Sequence, residues 1–115
     1  MKEKWGDETR LKHILEAIKL IEEYSENKGL LEFETERMYQ DACIRQLGII
    51  GEACARMTEE LRQSNEQIPW REIVGLRNIV IHEYFGVDCQ VIWNVIDVEL
   101  PILKIKIKEL LISLS

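Results

Sequence analysis

Apolar side chains recur along this chain at three- and four-residue steps, which predicts helices rather than strands. From Asp7 the positions Leu11, Ile14, Leu15, Ile18 and Ile21 form one face, while Lys12, Glu16, Lys19 and Glu23 fill the other. Asp7 is the expected N-cap of this first helix, and Asn27-Lys28-Gly29 its stop. Leu30 to Glu34 reads as a connection, and a second helix is expected from Glu34 or Thr35 to about Arg62. Its apolar face reads as Met38, Ala42, Leu47, Ile50, Ala53, Cys54, Met57 and Leu61. Gly48 and Gly51 within it would let another helix approach closely, so this is the expected central helix. Asp41 and Arg45 have the spacing of a surface ion pair, and Glu52 is either solvent-facing or a member of a site.

Ser64 to Ile68 is polar, and Pro69-Trp70 opens a third helix through Ile73, Val74 and Leu76, ended by Phe85-Gly86-Val87. Asp88 is the expected N-cap of a last helix, Cys89 to about Leu114, with a kink at Pro101. Leu103 to Lys108 alternates with period two, as a strand does, but nothing else in the chain offers a strand to pair with, so helix is expected here too. These elements predict an all-α protein, an antiparallel bundle of four to five helices in a single domain, residues 1–115. The apolar faces are wide for so small a bundle, which favours a two-fold homodimer.

Charge narrows the picture. The chain has 15 Lys and Arg against 21 Asp and Glu, a net charge of -6, which argues against coating nucleic acid through a general basic surface. Most of the excess lies in residues 1–36, so a local anion site later in the chain stays open. Three cysteines without a CxxC pattern fit buried thiols in a reducing compartment. The N-terminal residues lack a signal-peptide pattern, and no apolar run reaches membrane-spanning length, so a cytoplasmic protein without membrane contact is expected.

The chemistry concentrates in Arg77-Asn78-Ile79-Val80-Ile81-His82-Glu83-Tyr84. Here a permanent cation, a group titrating near neutrality and a phenol stand close together. On an ideal helix Arg77 and Tyr84 share a face, and His82 is displaced from Arg77 by about 140°. A bend, or a second copy of the chain completing a composite cleft, would bring the three together. In one reading Arg77 pairs with Glu72 or Asp41 and the others pack; in the other, the set cleaves RNA without a metal. His82 would then take the ribose 2′-hydroxyl proton, Arg77 would stabilise charge on the phosphoryl oxygens, and Asn78 would bond phosphate or sugar. His13, the second histidine, sits at the edge of the first helix's apolar face and reads as a boundary residue. Two histidines 69 positions apart and cysteines in apolar settings give no zinc spacing, and there is no glycine-rich phosphate loop, so no metal or cofactor is expected.

Arg77-x4-His82-x-Tyr84 resembles the signature of the HEPN superfamily, and within it that of the HepT-like toxins. Ile49-Ile50-Gly51-Glu52-Ala53, Ile68-Pro69-Trp70, Gly75-Leu76-Arg77-Asn78, Val87-Asp88 to Trp93 and Leu100-Pro101 extend the resemblance over most of residues 38–103. The resemblance implies a helical dimer acting as a ribonuclease toxin of a type II or VII toxin–antitoxin pair, with a minimal nucleotidyltransferase as antitoxin. It implies Arg77 and His82 as the catalytic pair, Asn78 as a supporting residue and Tyr84 as the hydroxyl that receives AMP. An alternative is a non-catalytic module that presents a nucleotide or Tyr84 to a nucleotidyltransferase partner.

Overall fold

The computed structural model describes the backbone of residues 2–81 and 88–114, and among these all side chains but those of 2–5 and 79–81. The elements are α1 (Lys2–Tyr24), α2 (Leu30–Thr35), α3 (Arg37–Ala55), α4 (Glu59–Ser64), α5 (Trp70–Val74), α6 (Leu76–Ile81), α7 (Cys89–Asn94), a π-helical turn (Val95–Glu99) and α8 (Leu100–Leu114). Every regular element among the described residues is helical, so the all-α class stands. The expected terminator Phe85-Gly86-Val87 lies outside the described residues.

Helix α3 is central: α1, α2, α5 and α6 pack against it, and α8 closes on α1. Its inward face is Tyr39, Cys43, Ile44, Leu47, Ile50 and Cys54, which meets Leu11, Ile14, Ala17, Ile18 and Ile21 of α1. The expected face of this helix was partly out of phase, since Met38 is 87% exposed and its neighbour Tyr39 is buried, with its hydroxyl donating to Ser25 Oγ at 2.7 Å. Burial pushes the Cys43 and Cys54 thiols up to about 12, which leaves both protonated and unreactive at neutral pH.

Two boundaries differ from expectation. Leu30–Thr35 is a helix, not a connection, and it seats Phe33 in the core against Tyr39 and Trp93, with ring centroids 5.5 and 6.1 Å apart. The long second helix ends at Ala55 and restarts at Glu59, where Thr58 caps the new helix by accepting from the Leu61 amide at 3.2 Å. The stop after α1 is as read, with Asn27 in the left-handed region at φ 62°. Asp88 caps α7 as expected, its carboxylate accepting from the Gln90 and Val91 amides.

Asp7 corrects the reading of α1. It is not an N-cap but an interior residue of a helix beginning at Lys2, and it is buried. Its two oxygens accept from the Thr58 amide at 2.9 Å and the Thr58 hydroxyl at 2.5 Å, so it fastens α1 to the α3–α4 turn. Asp7→Ala would leave both Thr58 donors without an acceptor, at about 2–3 kcal/mol. Thermal unfolding is expected to fall by roughly 10–20 °C, and Asp7→Asn, which keeps one acceptor, to lose less.

Helices α7 and α8 run on through the π turn. Their buried positions Ile92, Ile96, Leu100, Leu103, Ile107 and Leu110 begin with two consecutive four-residue steps. On an ideal α-helix those two steps would drift by about 80°. The π turn, closed by the Leu100 amide on the Val95 carbonyl, absorbs the drift and keeps one stripe on the core. Pro101, which has no amide proton, follows directly, so the helix loosens where it was expected to kink. The strand-like run resolves as helix because four-residue spacing prevails: Leu103 and Ile107 are buried and Ile105 is 60% exposed. No helix among the described residues is long and apolar enough to cross a membrane.

Candidate active site

The site is built where α6 crosses α3. Gly51 on α3 faces the backbone of α5 and α6 so closely that a Cβ there would lie 2.9 Å from the Arg77 amide nitrogen and 3.1 Å from the Ile73 carbonyl oxygen. The missing side chain is therefore what allows the two helices to touch at Arg77. The residue after this glycine then stands beside the arginine. Glu52 Oε2 lies 3.2 Å from Arg77 Nη1, and Glu52 Oε1 lies 2.8 Å from Arg56 Nε one turn along α3.

One carboxylate thus holds two guanidiniums, leaving the triad with a net positive charge. Hydrogen bonds from Arg56 and then Arg77 lower the Glu52 pKa, so the carboxylate stays ionised throughout the range in which a histidine titrates. Arg77 is 41% exposed, enough to meet a ligand while one of its nitrogens is fixed. A planar guanidinium held at one edge keeps donors for a phosphate, which an ammonium in the same place could not offer in fixed geometry. The reading in which Arg77 pairs with an acid thus holds for Glu52, not for Glu72 or Asp41. Asp41, expected to pair with Arg45, pairs with Arg37 at 3.3 Å.

Asn78 follows on α6, exposed, with its amide bonded to the Gly75 carbonyl at 3.0 Å. His82 and Tyr84 lie outside the described residues, immediately beyond the end of α6 at Ile81. The structure brings Arg77 together with Glu52 and Arg56. The second of these had no place in the sequence reading, and the first only an undecided one. A signal was present in Gly51-Glu52, because a glycine that admits a helix also makes its neighbour a contact residue. Among the described residues no three His, Cys, Asp or Glu side chains are grouped so as to hold a metal ion.

Residues 14–110 match a family model described as ribonuclease HepT-like. The chain is 40% identical over 100 residues to a protein of Thermococcus cleftensis named probable ribonuclease HepT, covering 87% of this chain and 91% of that one. It is 38% identical over 101 residues to a protein of Caldanaerobacter subterraneus provisionally named an RNase, covering 88% and 90% of the two chains. It is also 43% identical over 105 residues to a Methanocaldococcus jannaschii protein whose name joins gamma-glutamylcyclotransferase to a provisional RNase. That match covers 91% of this chain but spans only 47% of the relative. No solved structure matches the chain at a significant level. The extent of the family match and the identity to relatives of similar length show that this chain belongs to the HepT-like ribonuclease family.

Proposed function

We propose that this chain is the toxin of a toxin–antitoxin pair, a metal-independent endoribonuclease that works as a homodimer and is neutralised by AMP transfer to Tyr84. The observation that supports this most directly is the anchoring of Arg77 by Glu52 at 3.2 Å, in a half-exposed position five residues before a histidine. In this mechanism His82 removes the proton from a ribose 2′-hydroxyl, and the 2′-oxygen attacks the adjacent phosphorus. The bond from phosphorus to the 5′-oxygen breaks, and that oxygen takes a proton from a protonated histidine. The products are a 2′,3′-cyclic phosphate and a 5′-hydroxyl. Arg77 donates to the non-bridging oxygens as charge builds on them, and Asn78 bonds phosphate or sugar. A second protomer would complete the cleft, since Arg77 and His82 diverge by about 140° on one straight helix.

Tyr84 is the control point in this reading. Its phenolic oxygen attacks the α-phosphorus of ATP on a minimal nucleotidyltransferase partner, pyrophosphate leaves, and the nucleotide stays on the ring. The added negative charge then repels the RNA backbone from the cleft.

The test is cleavage of RNA in excess EDTA, beside the same RNA carrying a single 2′-deoxyribose at the cut site. Cleavage is expected to persist with chelator, to leave cyclic-phosphate ends, and to stop at the 2′-deoxy position. Loss of activity with chelator, or unchanged cutting at the deoxy position, would overturn the mechanism. Co-expression with a minimal nucleotidyltransferase is expected to add one or more AMP units to Tyr84 by mass spectrometry. Tyr84→Phe is expected to carry none and to stay active; AMP found elsewhere would remove Tyr84 from its role.

A further inference from the structure

We propose that the groove between α1 and α3 is a phosphate-binding subsite that holds the RNA strand next to the phosphodiester at Arg77; this rests on the ribonuclease reading above. The groove encloses about 550 Å³ and is lined by Thr9, Arg10 and His13 from α1, and by Ile49, Glu52 and Arg56 from α3. It is continuous with the candidate active site, because the Glu52 carboxylate that lines it also binds Arg77.

Three features give it the chemistry of a polyanion track. Among the described residues, the carboxylates that meet these guanidiniums are already committed: Glu52 lies between Arg56 and Arg77, and both Asp7 oxygens accept from Thr58. Arg56 reaches Glu52 through Nε, which leaves its two terminal nitrogens available, and its side chain is 66% exposed. Arg10 stands 3.8 Å from Asp7, beyond hydrogen-bond length, and is 30% exposed. Two guanidiniums, an imidazole and a threonine hydroxyl therefore line one trough. Gly6 and Ala53 also line it, and the Arg10 guanidinium lies over Gly6, where a Cβ would stand 2.8 Å from its Nη1. In a chain of net charge -6 a strand has few places to lie, and this groove leads to Arg77.

The test measures binding, so that it does not depend on turnover. Fluorescence anisotropy of a labelled 12-nucleotide RNA is followed against salt in the His82→Ala background, adding Arg10→Ala or Arg56→Ala. Each addition is expected to weaken binding roughly three- to tenfold at low salt. Each should also lower the slope of log affinity against log salt by about 0.7, the loss of one single-strand phosphate contact. Arg10→Lys should restore the slope, and thermal unfolding shows that each variant is folded. Lys19→Ala, exposed on α1 outside the groove, removes the same charge and is expected to change affinity less than twofold. Unchanged affinity and slope in Arg10→Ala, or an equal loss in Lys19→Ala, would overturn the subsite while leaving the nuclease standing. Binding of a labelled acidic peptide that Arg10→Ala weakens, with no RNA binding to the same protein, would overturn the subsite and assign the groove to a protein partner. A protein that neither binds nor cuts RNA would overturn the ribonuclease reading and the subsite together.

Discussion

Alanine at His82 is expected to lower single-turnover RNA cleavage by about 10²–10⁴-fold, the usual worth of a positioned general base. Alanine at Arg77 is expected to cost about 10²–10³-fold, the worth of one charge-stabilising donor. The Arg77 change should not alter thermal unfolding by more than a few degrees, because the half-exposed pair with Glu52 is screened by solvent and contributes little to stability. Arg77→Lys should recover only a small part of the lost rate. A single ammonium cannot hold Glu52 along one edge and present further donors to a phosphate in fixed geometry. The pH dependence separates the two roles. Glu52, with its pKa depressed by Arg56 and Arg77, keeps its hold on Arg77 above the ordinary carboxylate range and loses it only as pH falls through its lowered value. The acid limb of the rate should therefore follow a histidine. Glu52→Gln should lower the rate without moving that limb; a limb displaced by Glu52→Gln, or a His82→Ala protein as active as the parent, would assign the proton transfer elsewhere.

Gly51→Ala is expected to leave a folded protein that cleaves RNA roughly ten- to a hundredfold more slowly. Two effects oppose each other. Alanine favours an α-helix over glycine by about 1 kcal/mol, while a methyl group 2.9 Å from the Arg77 amide and 3.1 Å from the Ile73 carbonyl must push backbone apart. Such overpacking costs about 1–3 kcal/mol, so a small net loss of stability is expected. The larger effect falls on activity. Moving α6 away from α3 carries Arg77 away from Glu52 and from any phosphate it must meet, and a misplacement of about 1 Å can cost 10²-fold. Thermal unfolding and cleavage measured on one preparation decide the matter. A Gly51→Ala protein both more stable and fully active would show that the crossing tolerates the methyl group.

The helical periodicity made the all-α class, the central position of α3, the stop after α1 and the Asp88 cap legible, because each depends on neighbours in sequence. What stayed hidden depends on distant partners. Asp7 has the residue type and place of an N-cap, and only Thr58, 51 positions away, makes it an interior anchor. The partner of Arg77 lies 25 positions away on α3, and only the close approach at Gly51 selects Glu52 over Glu72 or Asp41. The break at Thr58 was masked by Met57 and Leu61, both buried, which carry an apolar rhythm across a cap. Of the candidate site, Arg77 stands out in the sequence as a cation among apolar neighbours, and the ion-pair triad that holds it does not. Arg56 in particular reads from sequence as one more surface cation.

The π turn at Val95–Glu99 has a bearing on how this chain can change length. A π turn accommodates one residue more than an α turn while the helix on either side keeps its phase. Removing a residue within it would restore ordinary winding and leave Ile107 and Leu110 facing inward. Removing one a turn or two later would rotate everything beyond it by about 100° and present those side chains to water. The last helix can therefore shed a residue at one end without exchanging its inside for its outside, and insertions and deletions in relatives should gather there.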